Sequence, residues 1–323
     1  MKKILYFLII VILIFISCEE KNRINKIISN YLPKLDSSTS THPLIRKIAC
    51  DIFQLKWEWY TKELGQTYRT IVPIKDSKNE KNVEKILSIN PSGTHGAYVN
   101  LIDEKADLII VARAPSQDEL DYAKEKNKII DSRPVAMDAF VFISHVDNPI
   151  ETIDIKSIHD IYTGKITKWS EINIKTDTDD DPIHAYQRNR NSGSQELMQK
   201  LVMKELKMID APNLITNSMI GPFNAIGGNE KLNIAGDRLG LGYTVYFYAK
   251  FMFPHDKVKM VKIENTAPTY ENIASKKYPF YSEVYVAITK DTKSDEAGYL
   301  LREWLFTKEG QKAISESGYV PIK

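Results

Sequence analysis

The chain of 323 residues holds only two cysteines, Cys18 and Cys50. One sits at the end of the N-terminal leader, so no disulfide framework can staple the fold. The six histidines show no paired spacing of the kind a zinc site needs. The densest acidic run, Asp177-Thr178-Asp179-Asp180-Asp181-Pro182, lacks the glycine and distal glutamate of a calcium loop and reads as a solvated loop. Ser192-Gly193-Ser194 lacks the glycine pattern of a nucleophile elbow, and no clear acid/base pair stands out. No catalytic residue, metal ligand or cofactor is therefore expected. Charge is scarce in net terms as well: the formal value is +2, and loss of Lys2 and Lys3 would leave a neutral chain. Near-neutrality argues against nucleic acid as a partner. There is no internal repeat. The apolar run Ile4–Ile16 is 13 residues long, short of the roughly 20 a membrane-spanning helix needs.

That run has another use. Met1-Lys2-Lys3, the apolar stretch and Ser17-Cys18 together describe a secretory signal over residues 1–17. Cys18 after Ser17 resembles a bacterial lipobox, although Phe15 stands where that pattern prefers leucine. The resemblance implies cleavage before Cys18, lipidation of its sulfur and an extracytoplasmic chain anchored to the cell membrane. An ordinary signal peptide with a stray cysteine is the plainer alternative. Residues 18–27 are polar and read as a tether. Cys50 falls in an apolar helical pattern and reads as a small core residue.

Strand-like and helix-like segments alternate along the remaining 300 or so residues, which predicts an α/β fold large enough for two domains. Expected strands are Tyr31–Leu35, Tyr68–Ile74, Ala106–Val111, Ala139–Ser144, His184–Gln187, Gly242–Tyr248 and Val284–Ile288. Expected helices start at Pro43, with Leu44, Ile48, Ile52 and Leu55 on one face, and at His95. Others cover Ser116–Lys126, Ser194–Leu206 and Asp295–Ser317. Trp57, Trp59, Trp169 and Trp304 lie in or near helical patterns and read as packing residues. Tyr243, Tyr246, Phe247 and Tyr248 read as strand core.

Three runs of small hydroxyl residues precede helical patterns: Ser37-Ser38-Thr39-Ser40-Thr41, Ser92-Gly93-Thr94 and Asn191-Ser192-Gly193-Ser194. A helix start offers unpaired N–H groups and the positive end of a dipole. Three converging starts with Arg188 between them would make a cage for an oxyanion. A plain helix cap uses one hydroxyl; five in a row at residues 37–41 exceed that need.

At this point the sequence resembles a family, the PstS-like phosphate-binding lipoproteins of bacterial ABC transporters. The resemblance is carried by Leu35–Leu44, Gly93–Tyr98 ahead of Ala106–Ile109, Asp160–Trp169, Tyr186–Gln195, Gly240–Tyr243, and the ending Glu309–Gln311 through Gly318–Pro321. It covers nearly all of the mature chain. It implies a two-lobed type II periplasmic-binding-protein fold, each lobe a mainly parallel sheet flanked by helices, joined by two crossing hinge strands. Lobe 1 would combine residues 28–135 with 262–323, and lobe 2 would be 136–261.

The same resemblance implies a monomer that captures inorganic phosphate and hands it to the permease subunits of an importer. Its contacts would be Ser38, Thr39, Ser40, Thr94, His95, Arg188, Ser192, Gly193 and Ser194, with Arg190 and Asn191 as secondary candidates. Arg188 would fork onto two oxygens, and Gly193 would let the backbone come close. Two positions depart from the pattern. Ala112 stands where relatives carry an acid or a serine, and Arg190 where a carboxylate is common. Both make the expected pocket more positive and widen the choice of oxyanion to sulfate, phosphonate or pyrophosphate. A secreted phosphoester hydrolase is the alternative from another class.

Overall fold

The computed structural model describes residues 32–64, 66–75 and 78–322, without the side chains of 62–68. The expected signal, Cys18 and the tether lie outside the described residues. The main sheet runs in the order Leu35–Ser37, Leu108–Val111, Tyr281–Thr289, Ile130–His145, Gly240–Val245, His184–Ala185. Its ladders are mixed. Leu35–Ser37 pairs parallel with Leu108–Val111, and Gly240–Val245 parallel with His184–Ala185. The pairings of Tyr281–Thr289 and of Ile130–His145 are antiparallel. The expectation of mainly parallel lobes thus holds only at the flanks of the sheet.

Ile130–His145 is a single strand of 16 residues, long enough to serve both halves of the sheet. Through Ala139 it pairs with Tyr281–Thr289, and from Phe140 onward with Gly240–Val245. The change of partner thus falls between Ala139 and Phe140. Its second half reads Phe140-Val141-Phe142-Ile143, buried on both faces, which is why it carries no alternation of polar and apolar residues. Phe140 and Phe142 meet edge to face with ring centres 5.7 Å apart, and Tyr243 packs 5.3 Å from Phe140. Such aromatic pairs add stabilisation beyond the area they bury.

Several elements differ from expectation. The first strand is Leu35–Ser37 rather than Tyr31–Leu35. Trp57 and Trp59 lie on a strand, Trp57–Leu64, paired with Gln66–Pro73 in a hairpin. Their alternation with Glu58 and Tyr60 is a period of two, and Trp59 stacks on Phe251 at 6.4 Å. The helix predicted over Ser194–Leu206 is an α-helical turn, Gly193–Leu197, that widens to π geometry over Met198–Met203. The closing helix is two, Ala297–Leu305 and Lys308–Ser317. Thr307 caps the second by accepting from the Gly310 N–H at 3.2 Å. A Cβ at Gly310 would stand 2.3 Å from the Trp304 carbonyl, so only glycine fits this corner. In the acidic run, Asp181 is buried rather than solvated, and its carboxylate accepts from the Ser170 N–H at 2.7 Å. Cys50 is fully buried as expected, and burial pushes its thiol up to about 12.

Asp138 sits just before the change of partner. Its Oδ1 accepts from the N–H groups of Ala139 and Phe247, while Oδ2 is buried without a partner. Burial pushes its carboxyl up to about 7, against the pull of those two donors. The folded state therefore holds this proton more tightly than the unfolded chain does. The contribution of this one group to stability should be greatest below about pH 4, fall as pH rises to about 7, and level off above. Asp138→Asn keeps the shape and removes the charge. It should stabilise the fold by on the order of 2 kcal/mol at pH 8 and leave it nearly unchanged at pH 4.5. Denaturant unfolding at both pH values checks this; a difference that does not vary with pH counts against it.

Candidate functional site

The three hydroxyl runs come together on one cavity of about 610 Å³. Each is positioned by local hydrogen bonding. At the end of the first strand, buried Asp36 accepts from the Ser92 N–H at 3.0 Å and from Asn100 Nδ2 at 2.7 Å. One carboxylate thereby ties the first loop to the second. The C-terminal segment braces the first loop too, since the Tyr319 hydroxyl donates to the Ser40 carbonyl at 3.0 Å. Asp36 and Tyr319 were not among the expected site residues. The signal for Asp36 was its place directly before the hydroxyl run.

Within the first loop the hydroxyls divide their work. The Ser38 hydroxyl accepts from the Ala112 N–H at 3.0 Å and pairs with Thr41 at 2.9 Å. Ser38 lines the cavity, but its side chain serves as a tie between loops. Thr39 and Thr94 also line the cavity, and among the described residues neither hydroxyl has a hydrogen-bond partner. Ser192 caps its helix by accepting from the Gln195 N–H at 3.1 Å, which leaves its own proton to donate. The Ser194 hydroxyl contacts Met219 Sδ at 3.5 Å, a weak acceptor. Ser40, Gly193 and Asn191 line the same cavity.

Arg188 is the decisive group. It is 7% exposed. Its N–H donates to the Tyr243 hydroxyl at 3.0 Å, and its Nε to the Thr216 carbonyl at 3.1 Å. The nearest partner of Nη1 is Met219 Sδ at 3.4 Å. Among the described residues no carboxylate pairs with this guanidinium, and no aspartate or glutamate lines the cavity. Burial pushes its pKa down from the usual arginine value. A buried cation without a counter-charge is costly unless an anion supplies one.

His95 lines the cavity with its ring part-exposed and Nδ1 3.1 Å from Glu119 Oε1. Glu119 is fully buried and also takes both arms of Arg113, each at 2.8 Å. Burial alone would raise the Glu119 carboxyl; the hydrogen bonds and charge of Arg113 outweigh it and hold it below the usual range. His95 is thus fixed from behind by a carboxylate that does not reach the cavity lining.

Arg190 is not brought to the cavity. It is exposed and borders a small surface cleft with Asp118, Asn189 and Asn191. The expectation that Arg190 makes the pocket more positive is corrected: its charge faces solvent, where screening is strong. Arg190→Ala should change anion affinity by less than about threefold, as titration calorimetry would show. A larger loss would put Arg190 on the ligand.

Sequence reasoning also missed Asn217-Ser218-Met219-Ile220, which closes another side of the cavity. Its signal was available, since small polar residues stand ahead of Gly221-Pro222 at a helix start. Tyr248, expected in the strand core, lies past the end of Gly240–Val245 and lines the cavity.

A cleft that buries a lone guanidinium among hydroxyls, on a sheet with one long shared strand, defines a ligand-binding protein of the two-lobed type II periplasmic-binding class. The family model described as PBP superfamily domain matches residues 73–308, and the chain belongs to that superfamily. It is 24% identical over 269 residues to the phosphate-binding protein PstS of Staphylococcus aureus, covering 79% of this chain and 77% of that protein. In fold it is similar to a Clostridium perfringens structure described as a phosphate ABC transporter substrate-binding protein with bound phosphate. The TM-score is 0.59 at 19% identity, covering 90% of this chain and 99% of that one. An ABC-type phosphate transport receptor from Vibrio cholerae is similar at a TM-score of 0.58 and 18% identity, covering 89% and 99%.

Proposed function

We propose that the protein is an extracytoplasmic substrate-binding lipoprotein that captures inorganic phosphate in its cleft for an ABC importer. The observation that carries this reading is Arg188, buried without a carboxylate partner beside the unengaged hydroxyls of Thr39 and Thr94. Such a seat is complete only with an anion in it. The names of its relatives support phosphate as that anion. Thr39, Ser40, Thr94, His95, Arg188, Ser192, Gly193 and Ser194 are the proposed contacts, with Asn191 secondary. Lobe 1 would be 28–135 with 262–323, and lobe 2 would be 136–261. Cys18 would carry the lipid, and permease subunits would receive the cargo.

A second oxyanion is favoured by one specific feature. Ala112 lines the cavity, and no carboxylate there repels a fully ionised guest. Sulfate should therefore bind within reach of phosphate rather than be rejected outright. Thermal unfolding with phosphate, sulfate and chloride tests both statements. Phosphate at a hundred times its Kd should stabilise the fold by about 2.7 kcal/mol. No shift with either oxyanion would sink the binding reading. Turnover of a chromogenic phosphoester that disappears in Ser192→Ala would replace it with a hydrolase.

A further inference from the structure

We infer that the anion seat is the head of a longer site, which accepts a small phosphate monoester or phosphonate with an uncharged substituent. This rests on the phosphate reading and extends it. The first ground is size. The cavity holds about 610 Å³, whereas a tetrahedral oxyanion takes the room of roughly two or three waters at about 30 Å³ each. The excess is not simply the gap of an open clamshell. Gly193 on one wall already touches Thr94 on the other, so closely that an added Cβ would stand 2.6 Å from the Thr94 hydroxyl oxygen.

The second ground is the lining. Ala112, Leu197, Ile220, Val245 and Tyr248 border the cavity, and each is under a tenth exposed. A bare oxyanion makes no use of such a surface, and water beside it is poorly satisfied. A methylene placed there favours binding by roughly fourfold. The third ground is charge. Among the described residues no acidic side chain lines the cavity, so an ammonium on the substituent would find no counter-charge and would add a second cation near Arg188. The class is therefore a short organic phosphate or phosphonate, neutral beyond its head group.

Calorimetry on the ligand-stripped protein tests this with four probes: inorganic phosphate, methylphosphonate, glycerol 3-phosphate and phosphoethanolamine. Methylphosphonate and glycerol 3-phosphate should bind within about tenfold of phosphate or more tightly, and phosphoethanolamine at least about tenfold more weakly than glycerol 3-phosphate. Phosphate binding with both substituted probes weaker by more than that margin overturns the longer site and leaves the phosphate reading standing. Equal affinity for phosphoethanolamine and glycerol 3-phosphate overturns the charge argument and the proposal with it. Binding of none of the four removes both readings.

Discussion

Arg188→Ala should lower phosphate affinity by at least about a hundredfold, or ~3 kcal/mol, while leaving the empty protein as stable as before or more so. The two effects have one cause. Arg188 is 7% exposed, and its guanidinium has a backbone carbonyl and a thioether for partners. Removing it deletes a charge that the fold buries without compensation. With an anion bound, the same group would supply charge-assisted, forked hydrogen bonds that nothing else on the lining can replace. Arg188→Lys keeps the charge but loses the planar fork, and should fall between wild type and alanine. Calorimetry gives the affinities, and unfolding without ligand gives the stability of each variant. Equal affinities would take Arg188 out of the site. A large loss of stability in the empty alanine variant would mean that its role is structural instead.

The sequence showed which residues meet at the cavity more clearly than it showed the elements around them, and the reason is physical. Hydroxyl runs at helix starts and an arginine at a strand end are local patterns, set by what a helix N-terminus and an anion require. Thr39, Thr94 and Arg188 could be picked out because each stands in such a pattern. The tie made by Asp36 to Ser92 and Asn100 spans 56 and 64 positions, and no local rule announces it. The same holds for Tyr319 on Ser40, at a separation of 279. Arg190 misled because residues two apart on an extended segment share a face, yet the strand ends at Arg188: Arg188 is buried, and by Arg190 the chain has left the strand and faces solvent. Trp57 and Trp59 misled because their alternation with Glu58 and Tyr60 runs for only a few residues beside a helical pattern, too short to fix the period before the hairpin partner is known.

Gly193→Ala should weaken anion binding by about tenfold to a hundredfold although it deletes no polar group. The sequence suggested that this glycine admits the ligand; the structure gives it a different neighbour. An alanine Cβ would lie 2.6 Å from Thr94 Oγ1 and 3.4 Å from Thr94 Cβ. The first distance is far inside contact, so something has to move. Thr94 can rotate its hydroxyl away, which removes a donor from the seat at a cost of roughly 1 to 3 kcal/mol. Otherwise the two walls separate, and the ligand no longer reaches both, which forfeits the differential affinity that favours the closed form. Both routes reduce affinity, and a second substitution tells whether this contact is their origin. Thr94→Ala removes the obstructing oxygen, so in that background Gly193→Ala should cost much less than it does alone. Small-angle scattering with saturating phosphate should report an expanded Gly193→Ala protein and a compact double variant. Strictly additive losses, with no change in shape, would mean that Gly193 acts on the ligand directly and that closure does not depend on the absence of its side chain.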